Sequence, residues 1–375
     1  MIDTIFRQYS EEYIKKYKPP PEHRKVISAI SNCRTEKMGR RFLICSSCQK
    51  TMLMYNSCRN RHCPKCQHKE RFKWLENRKM EILDVKYFHI VFTVPHILNQ
   101  IAYSNKRVFY QTLFESVNKT ITIFANDTKW LGAQPGAIAI LHTWGQNLSF
   151  HPHIHLVIPG GGIIIDTEEW LNTHPKFFAP VMAISSVFKA VFCKLLTKKL
   201  AIENIKADQE IIDKANAQNW IVFAQKPFDK PQYVIDYLGN YTHRVAISNY
   251  RIIKIEDRIV YFWYKDYRQS GERKIMKLGV LEFIRRFLQH ILPDNFYKIR
   301  YFGFMSNRYR SENIRLAKEA ICRNKNTEYQ NDLFDTILEK VIDLYLKIKY
   351  PCPDCGKPMI IADKASNDLY GKPET

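Results

Sequence analysis

Two histidines one residue apart stand out as a place where chemistry could happen. They lie in His151-Pro152-His153-Ile154-His155-Leu156-Val157-Ile158-Pro159-Gly160-Gly161-Gly162. The alternation predicts a β-strand closed by a glycine turn. Side chains on a strand alternate faces, so Ile154, Leu156 and Ile158 share one face and His153 and His155 the other. Two residues of extended chain separate the two imidazoles by about 7 Å at the backbone, a geometry suited to gripping one divalent ion. The pair alone is equally compatible with structural histidines, so the rest of the chain has to decide.

A second set is built from sulfur. Ten cysteines are present, six of them between Cys33 and Cys66. In a reducing compartment such clustering indicates metal rather than disulfides. Cys45-Ser-Ser-Cys48 and Cys63-Pro-Lys-Cys66 are two Cys-x-x-Cys pairs separated by 14 residues. Each pair makes a tight turn presenting two thiolates. The expectation is one tetrahedral zinc site from Cys45, Cys48, Cys63 and Cys66, supplying folding energy to a module with little core. Cys33, Cys58, His23, His62 and His68 remain to exchange with these four or to build a second site. Cys352-Pro-Asp-Cys355 is a further knuckle half with no second half after it.

The third set is phenolic. Chance would place about one pair of tyrosines four residues apart, the helical spacing that puts two side chains on one face. The chain has five such pairs, and three of these tyrosines, Tyr233, Tyr237 and Tyr241, fall on one predicted helix over 231–241. A tyrosine can attack a DNA phosphate and leave a 5′-phosphotyrosine and a free 3′-OH. Its pKa near 10 makes it a poor nucleophile at neutral pH, so a metal that polarises the phosphoryl oxygens is expected beside it.

Composition supports a polyanionic partner. The 375 residues carry a net charge of +21, and 45% are hydrophobic. That is enough for one large or two to three smaller cores. Nucleic acid is the commonest partner of so basic a chain. No apolar run approaches the ~20 residues of a membrane-spanning helix, and no signal peptide is evident, so a cytoplasmic protein is expected. Arg59, Arg61, Lys65, Lys69, Arg71, Lys73, Arg78 and Lys79 surround the cysteine knuckle, with Phe72 and Trp74 interleaved. This pattern suits phosphate contacts and base stacking, and equally a solvated face of a helix over 67–83.

Elements must position these groups. Residues 1–35 read as helical, with a break at Pro19-Pro20-Pro21. Strands are predicted at 88–94, 137–144, 151–159 and 220–224, with a short loop at 145–150 that makes two of them antiparallel neighbours. Helices are predicted at 97–127, 181–200, 204–217, 278–292, 312–323 and 331–349. Further strands are expected at 244–248, 251–255, 260–264 and 297–304. The resulting class is α+β.

At this point the residues resemble a known family. His153-Ile154-His155 resembles the His-hydrophobic-His motif of HUH endonucleases. The wider strings resemble rolling-circle insertion-sequence transposases of the two-tyrosine type: Tyr55-Asn-Ser-Cys58-Arg-Asn-Arg-His62-Cys63-Pro-Lys-Cys66, His151 to Gly162, and Tyr237-Leu-Gly-Asn-Tyr241-Thr-His-Arg-Val-Ala-Ile-Ser248. Phe283-Ile-Arg-Arg-Phe-Leu288, Ile299-Arg-Tyr-Phe-Gly303 and Cys352-Pro-Asp-Cys355 also fit.

The resemblance covers residues 20–360 and implies an antiparallel-sheet HUH domain flanked by helices, preceded by a small zinc-binding domain. The expected division is 1–85 for zinc and DNA recognition, 86–310 for the nuclease, and 311–375 for a helical end with the knuckle half. It also implies nicking and joining of single-stranded or hairpin-forming transposon ends in the nucleoid. Tyr237 and Tyr241 would be the nucleophiles, and His153 and His155 would hold Mg2+ or Mn2+. Gln146 or His142 would complete that site. His243 and Arg244 are expected to join Arg59, Arg61, Lys65, Arg71 and Lys73 against DNA. Three other readings stay open: a plasmid rolling-circle replication initiator or relaxase, a non-catalytic zinc regulator, and a zinc hydrolase built on His151, His153 and His155.

Overall fold

The computed structural model describes residues 1–228, 233–234, 237–239, 245–266, 271–327 and 350–362. The chain divides into two compact units at Gln67/His68, and the residues from 350 onward join the first unit. The expected boundary at residue 85 lies within the second of these units. The C-terminal knuckle belongs to the N-terminal unit instead of forming a third region.

The first unit opens with α1 (Ile2–Tyr17) and α2 (Pro21–Asn32). Ile2, Ile5, Phe6 and Tyr13 of α1 are buried, as are Val26, Ile27 and Ile30 of α2, the 3–4 spacing of one apolar helix face. Pro21 starts α2 where its missing N–H costs nothing. Then come β1 (Arg40–Cys45) and β2 (Thr51–Tyr55). With β13 (Met359–Ile361) they form a three-stranded antiparallel sheet in the order β13-β1-β2. Its buried core is small: Leu43, Cys45, Cys352 and Met359. α3 (Pro64–Lys79) begins in this unit and crosses the boundary.

The second unit is organised by a seven-stranded antiparallel sheet. Its strands are β3 (Tyr87–Thr93), β4 (Gln134–Trp144), β5 (Phe150–Pro159), β6 (Gly161–Ile164), β7 (Glu169–Asn172), β8 (Val222–Ala224) and β12 (Ile299–Gly303). The order is β7-β6-β4-β5-β3-β8, with β12 also paired to β4. Gly161 and Gly162 follow β5 where neighbouring backbone comes close. A Cβ on Gly162 would lie 2.6 Å from the Gln134 carbonyl oxygen, and one on Gly161 2.4 Å from that of Leu171.

One face of this sheet is largely apolar, with Arg300 of β12 lying over Phe114 and Phe296. Phe88, Ile90, Phe92, Ala137, Ala139, Leu141, Ile154, Leu156 and Ile158 pack there against helices α5 (Lys106–Asn126) and α6 (Val181–Ile202). Between β3 and α5 lies the short α4 (Asn99–Ser104), and α7 (Gln209–Ala217) follows α6. On the other face Tyr87, Ile138, Ile140 and Val157 share a core with Leu83, Val234, Leu238, Phe304 and Ile314. This core includes α9 (Arg310–Lys325), whose Ile314, Ala317 and Ile321 are buried.

A smaller sheet, β9 (Ile252–Glu256), β10 (Ile259–Asp266) and β11 (Glu272–Gly279), runs into α8 (Val280–Gln289). Phe262 of β10 meets Phe283 of α8 edge-on. The strand expected at 244–248 is absent: residues 245–248 form bends leading into a 3-10 turn at Asn249–Arg251. β11 was not expected, because its alternation of charged and apolar residues is weak on the exposed side.

Candidate active site

The period-2 rule places His153 and His155 on the sheet face opposite Ile154 and Leu156, as expected. Register then brings His142 of β4 directly across from His153. The nitrogens of His142, His153 and His155 lie within 4.8 Å of one another, and all three rings are buried. His142 was one of the two expected completing ligands. The other, Gln146, accepts a hydrogen bond from Arg251 at its backbone carbonyl.

The site fits a divalent ion. His153 Nδ1 donates to the His151 carbonyl oxygen at 2.7 Å, which leaves its Nε2 lone pair facing inward. His153 Nε2 and His155 Nε2 are 3.1 Å apart. Converging imidazole nitrogens of this kind would suit a first-row divalent ion. Burial pushes His153 down to about 3, so its imidazole stays neutral and able to donate its lone pair at neutral pH. His151 is stacked on His96 at 5.1 Å between ring centroids and stands outside the three-histidine group.

A fourth imidazole was missed. His89 on β3 lies with its Nε2 3.0 Å from His155 Nδ1, the two rings stacked. Burial lowers His89 to about 4. The available signal was a histidine in the apolar run 88–94, on the phase that β3 shares with the histidine face. Its value depends on β3 pairing with β5, which local periodicity does not reveal.

His89 also connects to the expected nucleophile. The Tyr237 hydroxyl lies 3.0 Å from His89 Nδ1, 2.5 Å from its Nε2 and 3.5 Å from His155 Nδ1. Residues 233–234 and 237–239 are helical, with Val234 and Leu238 buried. Tyr233, four residues earlier, is 53% exposed, which separates it from Tyr237 despite the equal spacing. Tyr241, His243 and Arg244 lie outside the described residues.

The cysteines assemble differently from the expectation. Cys63 and Cys66 group with Cys33 and Cys58, whereas Cys45 and Cys48 group with Cys352 and Cys355. The single site from Cys45, Cys48, Cys63 and Cys66 is therefore corrected to two sets of four. The reason is physical: β1 and β2 carry the first pair into the sheet with β13, while Cys63 and Cys66 sit at the start of α3 and close on the end of α2. In the α3 group the Cys33–Cys66, Cys58–Cys66 and Cys33–Cys63 sulfur separations are 3.7, 3.6 and 3.7 Å. A zinc tetrathiolate with 2.3 Å bonds has edges of about 3.8 Å. His23, His62 and His68 enter neither group among the described residues.

The basic stretch divides too. Lys65 Nζ donates to the buried Asp3 carboxylate at 2.9 Å. Arg78 donates to the Tyr301 hydroxyl and pairs with Glu81, and the Trp74 indole donates to the same hydroxyl. Arg59 sits at the exposed turn before α3 with a positive φ of 53°. Arg61 and Arg71 are half-buried. The Lys73 side chain lies outside the described parts.

Comparison with known proteins closes the identification. Residues 136–313 match the family model described as "Putative transposase", and residues 5–94 match the IS91-type "Transposase zinc-binding domain". The chain belongs to this family of insertion-sequence transposases. It is 38% identical to the "Putative transposase y4qJ" of Sinorhizobium fredii, over 99% of this chain and 97% of that protein. It is 26% identical to the transposase for insertion sequence element IS801 of Pseudomonas savastanoi pv. phaseolicola, over 79% and 73% of the respective chains. No solved structure matches. A transposase processes nucleic acid, so DNA is its partner. Among the described residues no helix is long and apolar enough to cross a membrane.

Proposed function

We propose that this transposase nicks and rejoins single-stranded, hairpin-forming ends of its element through a 5′-phosphotyrosine formed on Tyr237. The observation that carries the reading is the Tyr237 hydroxyl, beside His89 and 3.5 Å from His155 Nδ1 of the His142, His153 and His155 group. His142, His153 and His155 would hold Mg2+ or Mn2+, which when bound supplies charge to polarise the phosphoryl oxygens of the scissile group. Tyr237 Oη attacks phosphorus, and a Tyr–O–P bond forms as the P–O3′ bond breaks. The phenol gives up its proton and the departing 3′ oxygen takes one up. His89 acts as a positioning residue that aims the hydroxyl. The reaction exchanges one phosphodiester for another, so rejoining needs no nucleotide triphosphate.

Tyr241, one helical turn on, is the second nucleophile in this reading, and His243 and Arg244 beside it contact the same strand. Arg59, Arg61, Arg71 and Lys73 are assigned to the phosphate backbone. Cys33, Cys58, Cys63 and Cys66 are assigned to structural zinc. The protein works on the nucleoid in the cytoplasm.

The test uses labelled single-stranded DNA from the element's ends with Mg2+ or Mn2+ on a denaturing gel. A metal-dependent protein–DNA band is expected for the native chain. Tyr237→Phe together with Tyr241→Phe should remove it, and His153→Ala with His155→Ala should abolish cleavage. Normal cleavage by the double histidine variant would overturn the metal assignment. Tight binding with no covalent band under correct ends and both metals would favour a regulatory role.

A further inference from the structure

We propose that Cys45, Cys48, Cys352 and Cys355 form a second structural zinc site, a ribbon whose two halves come from opposite ends of the chain. The inference stands apart from the nicking chemistry. It also goes beyond the matched zinc-binding domain, because Cys352 and Cys355 lie far outside residues 5–94.

The two halves repeat one another bond for bond. The Cys45 N–H donates to the Lys50 carbonyl at 2.9 Å, and the Cys352 N–H donates to the Lys357 carbonyl at 2.8 Å. The Gln49 N–H returns to the Cys45 carbonyl at 3.0 Å, and the Gly356 N–H returns to that of Cys352 at 2.8 Å. Gln49 and Gly356, each four residues after the first cysteine of its pair, take the left-handed conformation with φ of 60° and 70°. The backbone amide two residues past the second cysteine, Lys50 in one half and Lys357 in the other, points at that cysteine's sulfur. Gln49 holds φ near +60° at a cost that Gly356 does not carry, and the left-handed conformation at the equivalent place in both turns marks a shared geometry.

The sulfurs face each other across the halves. Cys45 and Cys355 are 3.5 Å apart, and so are Cys48 and Cys352. These separations are too long for a disulfide at about 2.05 Å and close to the edge of a metal tetrathiolate. Four thiolates in a tetrahedral set favour Zn2+ over the hard cations. Pairing of β1 with β13, Cys45 opposite Met359, sets the two turns side by side, and Lys50 pairs with Asp354 at 3.1 Å across them. The apolar core here amounts to Leu43 and Met359 with three partly buried neighbours, Met52, Met54 and Tyr350. So small a core needs a further cross-link to hold a three-stranded sheet.

The experiment is a zinc count on the purified full-length chain, by native mass and elemental analysis. Two zinc ions per chain are expected, falling to one in the Cys352→Ser/Cys355→Ser variant, with the second ion lost again in Cys33→Ser/Cys66→Ser. One ion in the native chain, or two retained in Cys352→Ser/Cys355→Ser, would overturn the proposal. So would a Cys45–Cys355 or Cys48–Cys352 disulfide found by peptide mapping of the native chain. Should the serine variant fail to fold, cobalt titration of the metal-stripped native chain decides. Sulfur-to-cobalt charge-transfer absorption rising to two equivalents supports the second site, and saturation at one equivalent overturns it.

Discussion

The two units of this transposase are held together by different means. The second unit buries a large apolar face, with Phe92, Phe109, Phe114, Phe188 and Phe192 all fully enclosed. The first has little buried apolar surface around its sheet, and its conspicuous feature is two groups of four cysteines. In the proposed assignment, one unit folds by excluding water and the other by binding metal. In that assignment the histidine group sits on the unit built around an apolar core, so its scaffold would exist before any ion it takes arrives.

The largest effect should come from zinc removal. A structural zinc tetrathiolate contributes about 10 kcal/mol or more of apparent folding energy at neutral pH. Stripping it with a strong chelator should leave residues 1–67 open to proteases while the second unit keeps its resistance; equal loss of protection in both units would erase the contrast. The converse experiment is Phe188→Ala. Phe188 is enclosed between Phe92, Phe192 and Trp220, so its truncation should cost about 3–5 kcal/mol. Chemical denaturation should show that loss with zinc content unchanged.

A smaller effect concerns pH. Burial pushes His290 down to about 3, where it lies between Thr143 and the Leu148 carbonyl. A folded pKa below the unfolded value near 6.5 means that the unfolded chain binds the extra proton. Stability from this group is complete above about pH 6.5 and declines as pH falls toward 3. At pH 5 the loss is about 2 kcal/mol. His290→Gln should flatten the fall in stability between pH 7 and 5, and an unchanged slope would remove His290 from the account.

The smallest expected effect separates used from available charge. Lys65→Met should leave the salt dependence of DNA binding unchanged, because Asp3 already holds that ammonium. Arg59→Gln should reduce the logarithmic salt slope by about 0.7–0.9. A reduced slope for Lys65→Met would return that residue to the DNA surface.

Much of the second unit was legible from local pattern. The strands at 88–94, 137–144 and 151–159 announce themselves by apolar runs, and the face shared by His153 and His155 follows from the period of two. His142 was within reach because a short loop makes β4 and β5 neighbours. His89 was not, since its role depends on which strand lies beside β5 on the other side. The equal spacing of Tyr233, Tyr237 and Tyr241 likewise could not distinguish Tyr233 from Tyr237; packing of Val234 and Leu238 does. The cysteine grouping was the least legible. Sequence proximity favours joining Cys45 and Cys48 to Cys63 and Cys66, whereas the strand pairing of β1 with β13 joins them to residues about 300 positions away.

That long separation has a consequence in time. Cys48 leaves the ribosome 304 residues ahead of Cys352. At about 5–20 residues per second, the first half of the ribbon waits roughly 15–60 s for its complement. A chain cut short anywhere before Cys352 never completes it, so an interrupted message yields a protein whose N-terminal sheet lacks its third strand and its clasp. Closure of the proposed ribbon thus reports that translation has passed Cys355.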